Sequence, residues 1–186
     1  MINFKNFFQF WWEIIKIVLL ALAIVIPVRL FLFQPFLVKG QSMEPSFHDN
    51  DYLIIDEISY RFRESKRGEV IVFKFPQNPS QRFIKRIIGL PGETVEIENG
   101  KVMIIKDNKA QILDESGYLS SFFETPGNLK ITLNENEYFV LGDNRRVSAD
   151  SRSWGPVSRK NIIGRVFFRA WPITALALIK TPGYEF

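Results

Sequence analysis

Twelve uncharged residues, Ile17–Val28, lie between Lys16 and Arg29 near the start of this 186-residue chain. Such a run has to leave water, and its amides and carbonyls then have to pair within the segment, which a helix does and an isolated strand does not. Extended to Trp11–Phe33 the stretch is 23 residues long and includes Glu13, Lys16 and Arg29. A spanning helix needs about 20 mostly apolar residues, and terminal Lys or Arg side chains can reach the headgroups. Phe7, Phe8, Phe10, Trp11 and Trp12 on one side, with Phe31, Phe33 and Phe36 on the other, read as interfacial aromatic belts. A cleaved secretory signal would carry its small-x-small site after the apolar run. Here Ala21-Leu22-Ala23 lies inside it. A buried core helix is the remaining alternative. The expectation is a short tail over 1–10, a single transmembrane anchor over 11–33 and one domain over 34–186. The flanking charges are nearly balanced and do not orient the anchor.

Beyond the anchor the pattern changes to short β runs. Phe36-Leu37-Val38 leads into a turn around Ser42, and Tyr52-Leu53-Ile54-Ile55 follows the turn-forming Asp49-Asn50-Asp51. Glu69–Phe75 is rich in β-branched and aromatic residues and meets Pro76 and Pro79. Over Arg82–Leu90 the side chains alternate, with Phe83, Lys85 and Ile87 on one face and Ile84, Arg86 and Ile88 on the other. Asn99-Gly100 marks a hairpin between Thr94–Ile97 and Lys101–Ile105. Tyr138–Leu141 and Ile162–Arg169 supply late strands. Residues 99–136 read as a small β excursion or cap. The fold class is mainly β: an antiparallel β domain behind one helix.

Composition narrows the chemistry. The chain has no cysteine, which removes disulfides, thiol catalysis and thiolate zinc sites. A net charge of +4 without a basic stripe argues against nucleic acid as a partner. Neither a metal nor another cofactor is expected. Aromatics make up 15% of the residues, 18 of them Phe, which suits a broad apolar core or a lipid-contacting surface.

Ser42 in Gly40-Gln41-Ser42-Met43-Glu44-Pro45 is a candidate nucleophile, and a serine needs a base beside it. The lone histidine, His48, lies in a polar segment and would need the chain to double back. A lysine on an apolar strand is the substitute. Lys85 lies between Phe83 and Ile87 on its strand face, where a dry site would lower its proton affinity. Moving a lysine pKa from about 10.4 to about 8 costs on the order of 3 kcal/mol.

Four ordered segments, Gly40–Pro45, Arg82-Phe83-Ile84-Lys85-Arg86, Gly142-Asp143-Asn144-Arg145 and Ser148-Ala149-Asp150-Ser151-Arg152, resemble the bacterial type I signal peptidases. The resemblance spans about Phe31 to Arg169. It implies Ser42 as nucleophile and Lys85 as general base, with Ser148 hydrogen-bonded to the lysine. It further implies Asp143 paired with Arg86, Asp150 paired with Arg152, and the Ser42 N–H as oxyanion donor. Relatives that add a serine hydroxyl have it where this chain has Gly40, and Arg146-Val147 stands where the family commonly has Asp-Asn. Phe36, Val38, Met43, Phe83 and Ile84 correspond to substrate-binding walls.

The implied function is a membrane-bound serine endopeptidase that cleaves signal peptides from exported preproteins after small-x-small sites. The implied setting is the outer face of the cell membrane, as a monomer near the export channel and in contact with lipid. A self-cleaving repressor-type Ser–Lys protease, which shares the β fold, would carry a DNA-binding helix-turn-helix ahead of it. An inactive tethered binding module would be expected to lose Ser42 or Lys85.

Overall fold

The structure is a computed structural model that describes residues 4–31, 33–120 and 124–184. Helix α1 runs Phe4–Phe31 and is followed at once by strand β1, Phe33–Leu37. The helix therefore takes in most of the 1–10 segment, and the first strand begins three residues before Phe36. Phe10, Trp11, Trp12, Ile17, Leu19 and Leu20 are all exposed on α1, and Lys16 pairs with Glu13 at 2.7 Å. Among the described residues no helix is long and apolar enough to cross a membrane. The structure thus gives a helix where the anchor was expected, without giving the span. The side chains of Phe8, Phe31 and Phe33 lie outside the described residues.

The strands that follow are β2 (Tyr52–Asp56), β3 (Val70–Phe75), β4 (Asn78–Gly89), β5 (Thr94–Glu98), β6 (Lys101–Lys106), β7 (Lys109–Ile112), β8 (Leu129–Thr132), β9 (Glu137–Leu141), β10 (Val157–Ser158), β11 (Ile162–Trp171) and β12 (Ala177–Leu178). Two one-turn helices, α2 (Ser59–Phe62) and α3 (Ser151–Trp154), sit in the connections. The large sheet has the order β1-β2-β11-β3-β4-β9-β10, with β12 beside β11, and the small one has the order β7-β6-β5-β8. Every pairing described is antiparallel.

Turn chemistry explains the small sheet. Asn99 and Gly100 both take positive φ, +50° and +76°, which closes the β5–β6 hairpin as their sequence predicts. Asp107 and Asn108 do the same at +50° and +61° and close β6 onto β7 within the 99–136 excursion. Pro79 was expected to end a strand. It lies instead at the exposed start of β4, where a missing N–H leaves no ladder bond unmade.

Strand β4 joins the cores. Ile84 packs with Val38, Met43, Phe47, Leu53 and Val72, while Ile87 packs with Ile71, Phe73, Tyr138 and Val140. Ile88 belongs to the small-sheet core with Val95, Ile97, Val102 and Phe139. Each such side chain stabilises by roughly 1.5–3 kcal/mol on burial, so β4 is held firmly from several directions.

Candidate active site

Ser42 lies in a turned segment fixed at both ends. Gly40 adopts φ +82°, and its N–H donates to Asp49 Oδ1 at 2.7 Å. On the far side Met43 and Phe47 are buried in the core, and the Phe47 N–H donates to the Met43 carbonyl at 2.9 Å. Ser42 is left half-buried between these anchors.

Lys85 meets it from β4. Lys85 Nζ donates to Ser42 Oγ at 2.7 Å and to the Ile84 carbonyl at 2.9 Å, and it stands 5.6 Å from the centre of the Phe83 ring. The lysine is only 4% exposed. Burial lowers its pKa to about 8, although Asp150 and Asp143 pull the other way. Desolvation prevails because neither carboxylate touches the ammonium. A substantial fraction of neutral amine near pH 8 is what proton abstraction from a serine hydroxyl requires. His48 is exposed, with its N–H bonded to Asp51 Oδ2 at 3.0 Å, and no hydrogen bond ties it to Ser42 among the described residues.

Arg86, on the opposite face of β4, holds Asp143 in a two-pronged bond, Nε to Oδ1 at 2.8 Å and Nη2 to Oδ2 at 2.5 Å. Its third nitrogen donates to the Gly68 carbonyl at 2.9 Å, and its plane lies 4.0 Å from the Tyr118 ring centre. Asp150 accepts from Arg152 Nε and Nη2, both at 2.8 Å, and from the Gly142 N–H at 3.1 Å. It also caps α3 through the Arg152 N–H. These pairs join the strand and the 142–152 loop behind the dyad.

Gly142 is where the loop and Ser42 touch. A Cβ there would stand 2.2 Å from Ser148 Oγ and 2.4 Å from the Ser42 carbonyl, so no larger residue fits without moving one of them. The Asn144 N–H donates to that same Ser42 carbonyl at 3.1 Å. Ser148 departs from expectation. Its buried Oγ has no hydrogen-bond partner among the described residues, so the bond to Lys85 is not made here. Close packing against Gly142 holds the hydroxyl in place without bringing it to the amine.

Phe36, Leu37, Phe83 and Ile84 line a groove of about 320 Å³ that opens on Ser42 and Lys85, and Val147 and Ala149 line it as well. Val38 and Met43, expected on its walls, are buried in the core beneath it and do not line it. A larger cavity of about 1050 Å³ lies against the small sheet, between Ile104, Lys109 and Tyr184, and contains the Arg67–Glu93 pair. The groove, not the larger cavity, is where Ser42 and Lys85 converge.

Sequence reasoning gave Arg145 no role. Its side chain is wholly buried, bonded to both Glu115 oxygens, to Thr125 Oγ1 and, through Nε, to the Gly142 carbonyl at 3.1 Å. The 99–136 excursion therefore reaches behind the dyad and supports the 142–145 turn. A buried partner 30 residues away leaves no local pattern by which to find it.

Residues 11–171 match the family described as signal peptidase, peptidase S26. The chain is 40% identical over 177 residues to signal peptidase I of Leptolyngbya laminosa, covering 91% of this chain and 84% of that protein. It is 38% identical over 174 residues to the probable signal peptidase I-2 of Synechocystis sp., covering 91% and 77%. A crystal structure of a signal peptidase I from Enterococcus faecalis aligns at 34% identity with a TM-score of 0.46, over 56% of this chain and 97% of that one. With the family match running from the N-terminal helix through the last long strand, and relatives this similar over nine-tenths of its length, the chain belongs to the signal peptidase family, peptidase S26.

Proposed function

We propose that this protein is a membrane-bound signal peptidase in which Ser42 attacks the scissile carbonyl and Lys85 takes its proton. Membership of the family makes it a serine-type endopeptidase, a hydrolase. The observation that carries the finer assignment is the 2.7 Å contact between Lys85 Nζ and Ser42 Oγ in a site dry enough to hold the lysine near pKa 8.

In this reading the neutral amine removes the hydroxyl proton as Oγ bonds to the carbonyl carbon. The resulting ammonium then returns the proton to the departing amine, leaving an acyl-enzyme. Water, activated by the same amine, releases the acyl group. The Ser42 N–H would stabilise the oxyanion of both tetrahedral intermediates, with no side-chain donor at Gly40. An extended peptide laid between β1 and β4 would present alternate side chains to the shallow pockets beside Phe36, Phe83 and Ile84. Shallow pockets select small residues, in keeping with cleavage after small-x-small sites.

The apolar run Ile17–Val28 would hold the enzyme in the cell membrane, with the catalytic domain on the outer face where signal peptides end. A monomer contacting lipid and exported preproteins completes the assignment. The deciding experiment is cleavage of a test preprotein by the detergent-solubilised full chain. Wild type should release the mature protein with a new N-terminus after a small-x-small site, and Ser42→Ala should release none. Equal cleavage by both would overturn the proposal.

A further inference from the structure

Resting on that endopeptidase reading, we infer that Val147 selects the first residue on the mature side of the cut, favouring an uncharged apolar side chain there. Val147 is 61% exposed, an unusual state for an apolar residue beside a reacting pair. It is not loosely held. The Val147 and Ser148 N–H groups both donate to the Asn144 carbonyl, at 3.3 and 3.0 Å, which closes a tight turn. One guanidinium clamps the two ends of that turn, because Arg152 Nη2 donates to the Arg145 carbonyl at 2.7 Å and to the Ser148 carbonyl at 3.3 Å. Asn144 docks the turn on the Ser42 carbonyl. Val147 is thus an apolar side chain presented to solvent at the tip of a turn registered against the nucleophile. Presenting it preorganised lowers the ordering cost of a contact with a bound peptide.

Its position along the groove follows from the two walls. On β4 the residues Arg82, Phe83, Ile84 and Lys85 run toward the dyad, and at about 3.3 Å per residue Arg82 lies about 10 Å from Lys85. Arg82 Nη1 donates to Gln34 Oε1 at 3.4 Å, joining the same end of β1 to it, and Phe36 and Leu37 then lead toward Ser42. A peptide between these walls has its residues before the cut beside 82–84. The 144–149 turn is docked on the Ser42 carbonyl by the Asn144 N–H, and in this reading the peptide passes Ser42 and leaves over that turn, so the residue after the scissile bond meets Val147. Val147 lines the same groove as the acyl-side residues Phe36, Phe83 and Ile84 but belongs to a different element, so specificity before and after the cut should be separable.

The test uses the full chain in detergent with peptides carrying Ala-x-Ala before the cut and Val, Asp or Lys after it. Wild type should cleave the Val peptide about fivefold faster in kcat/KM than either charged one, the scale of one modest apolar contact. Val147→Asp should raise the Lys-to-Asp preference about tenfold, by attraction to one and repulsion of the other at a solvated site. Val147→Ala should lower the preference for Val about threefold. With a second peptide set that carries Ala or Leu at the third position before the cut and Val after it, the preference at that position should be the same in all three enzymes. A Lys-to-Asp ratio unchanged within twofold in Val147→Asp, or a change at the third position before the cut instead, would overturn the inference. If wild type cleaves none of these peptides, the endopeptidase reading falls and this one with it.

Discussion

Lys85 and Arg86 are neighbours on β4, each 4% exposed, and their environments drive them in opposite directions. Arg86 faces Asp143, whose carboxylate engages it with two short bonds, and its proton affinity is raised despite its burial. Lys85 faces a serine hydroxyl, a backbone carbonyl and an aromatic ring, and its affinity falls to about 8. Burial alone does not decide the state of a cation. Direct contact with a carboxylate does, and alternation along one strand supplies it to one face and withholds it from the other. One face is a fastener and the other, in the proposed mechanism, a reagent.

The strongest test of that contrast exchanges the two chemistries. Lys85→Arg should lower kcat by at least a thousandfold with the fold retained, because guanidinium does not deprotonate in a protein. Single-turnover cleavage with circular dichroism checks it, and Ser42→Ala should be equally inactive. Breaking the fastener should act on stability. Asp143→Ala leaves Arg86 buried and unpaired, and an equilibrium denaturant titration should show a loss of about 3–5 kcal/mol.

The reagent face gives two pH signatures. As the free enzyme's lysine loses its proton, kcat/KM should rise along a limb centred near pH 8. Phe83→Ser should admit water and move that limb to higher pH, and a limb moving acidward would remove Lys85 as the titrating group. The second signature is in stability. Unfolded lysine keeps its proton to about 10.5 and folded Lys85 only to about 8, so the unfolded state binds more protons between those values. Stability should therefore rise with pH across that window. Lys85→Met should be more stable than wild type by about 3 kcal/mol at pH 7, an advantage that fades as pH rises from about 8 and is gone above 10.5. The smallest expected effect is His48→Ala, with kcat/KM within about twofold of wild type, since the ring lies outside the reacting pair.

Much of this was legible in the sequence where the signals are local. Alternation across Arg82–Leu90 separates the faces of β4, and Asn99-Gly100 announces its hairpin. The resemblance of the ordered segments pointed to Ser42 and Lys85, which the fold brings into contact, and to both Asp–Arg pairs. What stayed hidden depends on distant partners. Met43 and Val38 lie beside the nucleophile in sequence, yet face inward because the turn needs anchoring. Ser148 has the expected neighbourhood but not the expected bond, since an approach to Gly142 set by packing, not by pattern, directs its hydroxyl. Arg145 is unremarkable until Glu115 is folded against it. The strand order itself, with β11 inserted between β2 and β3, carries no local trace.

The depressed lysine has a consequence for chemical labelling. Ordinary exposed lysines at pH 8 are almost wholly ammonium and react slowly with electrophiles, whereas about half of Lys85 would be a free amine at that pH. A small carbamoylating reagent such as cyanate, able to enter a groove of about 320 Å³, should therefore modify this position ahead of lysines on the surface. Mass spectrometry of the digested protein would then count free active sites by the mass tag on one peptide. A substrate-like peptide seated in the groove should protect that tag site while the surface lysines react on unchanged.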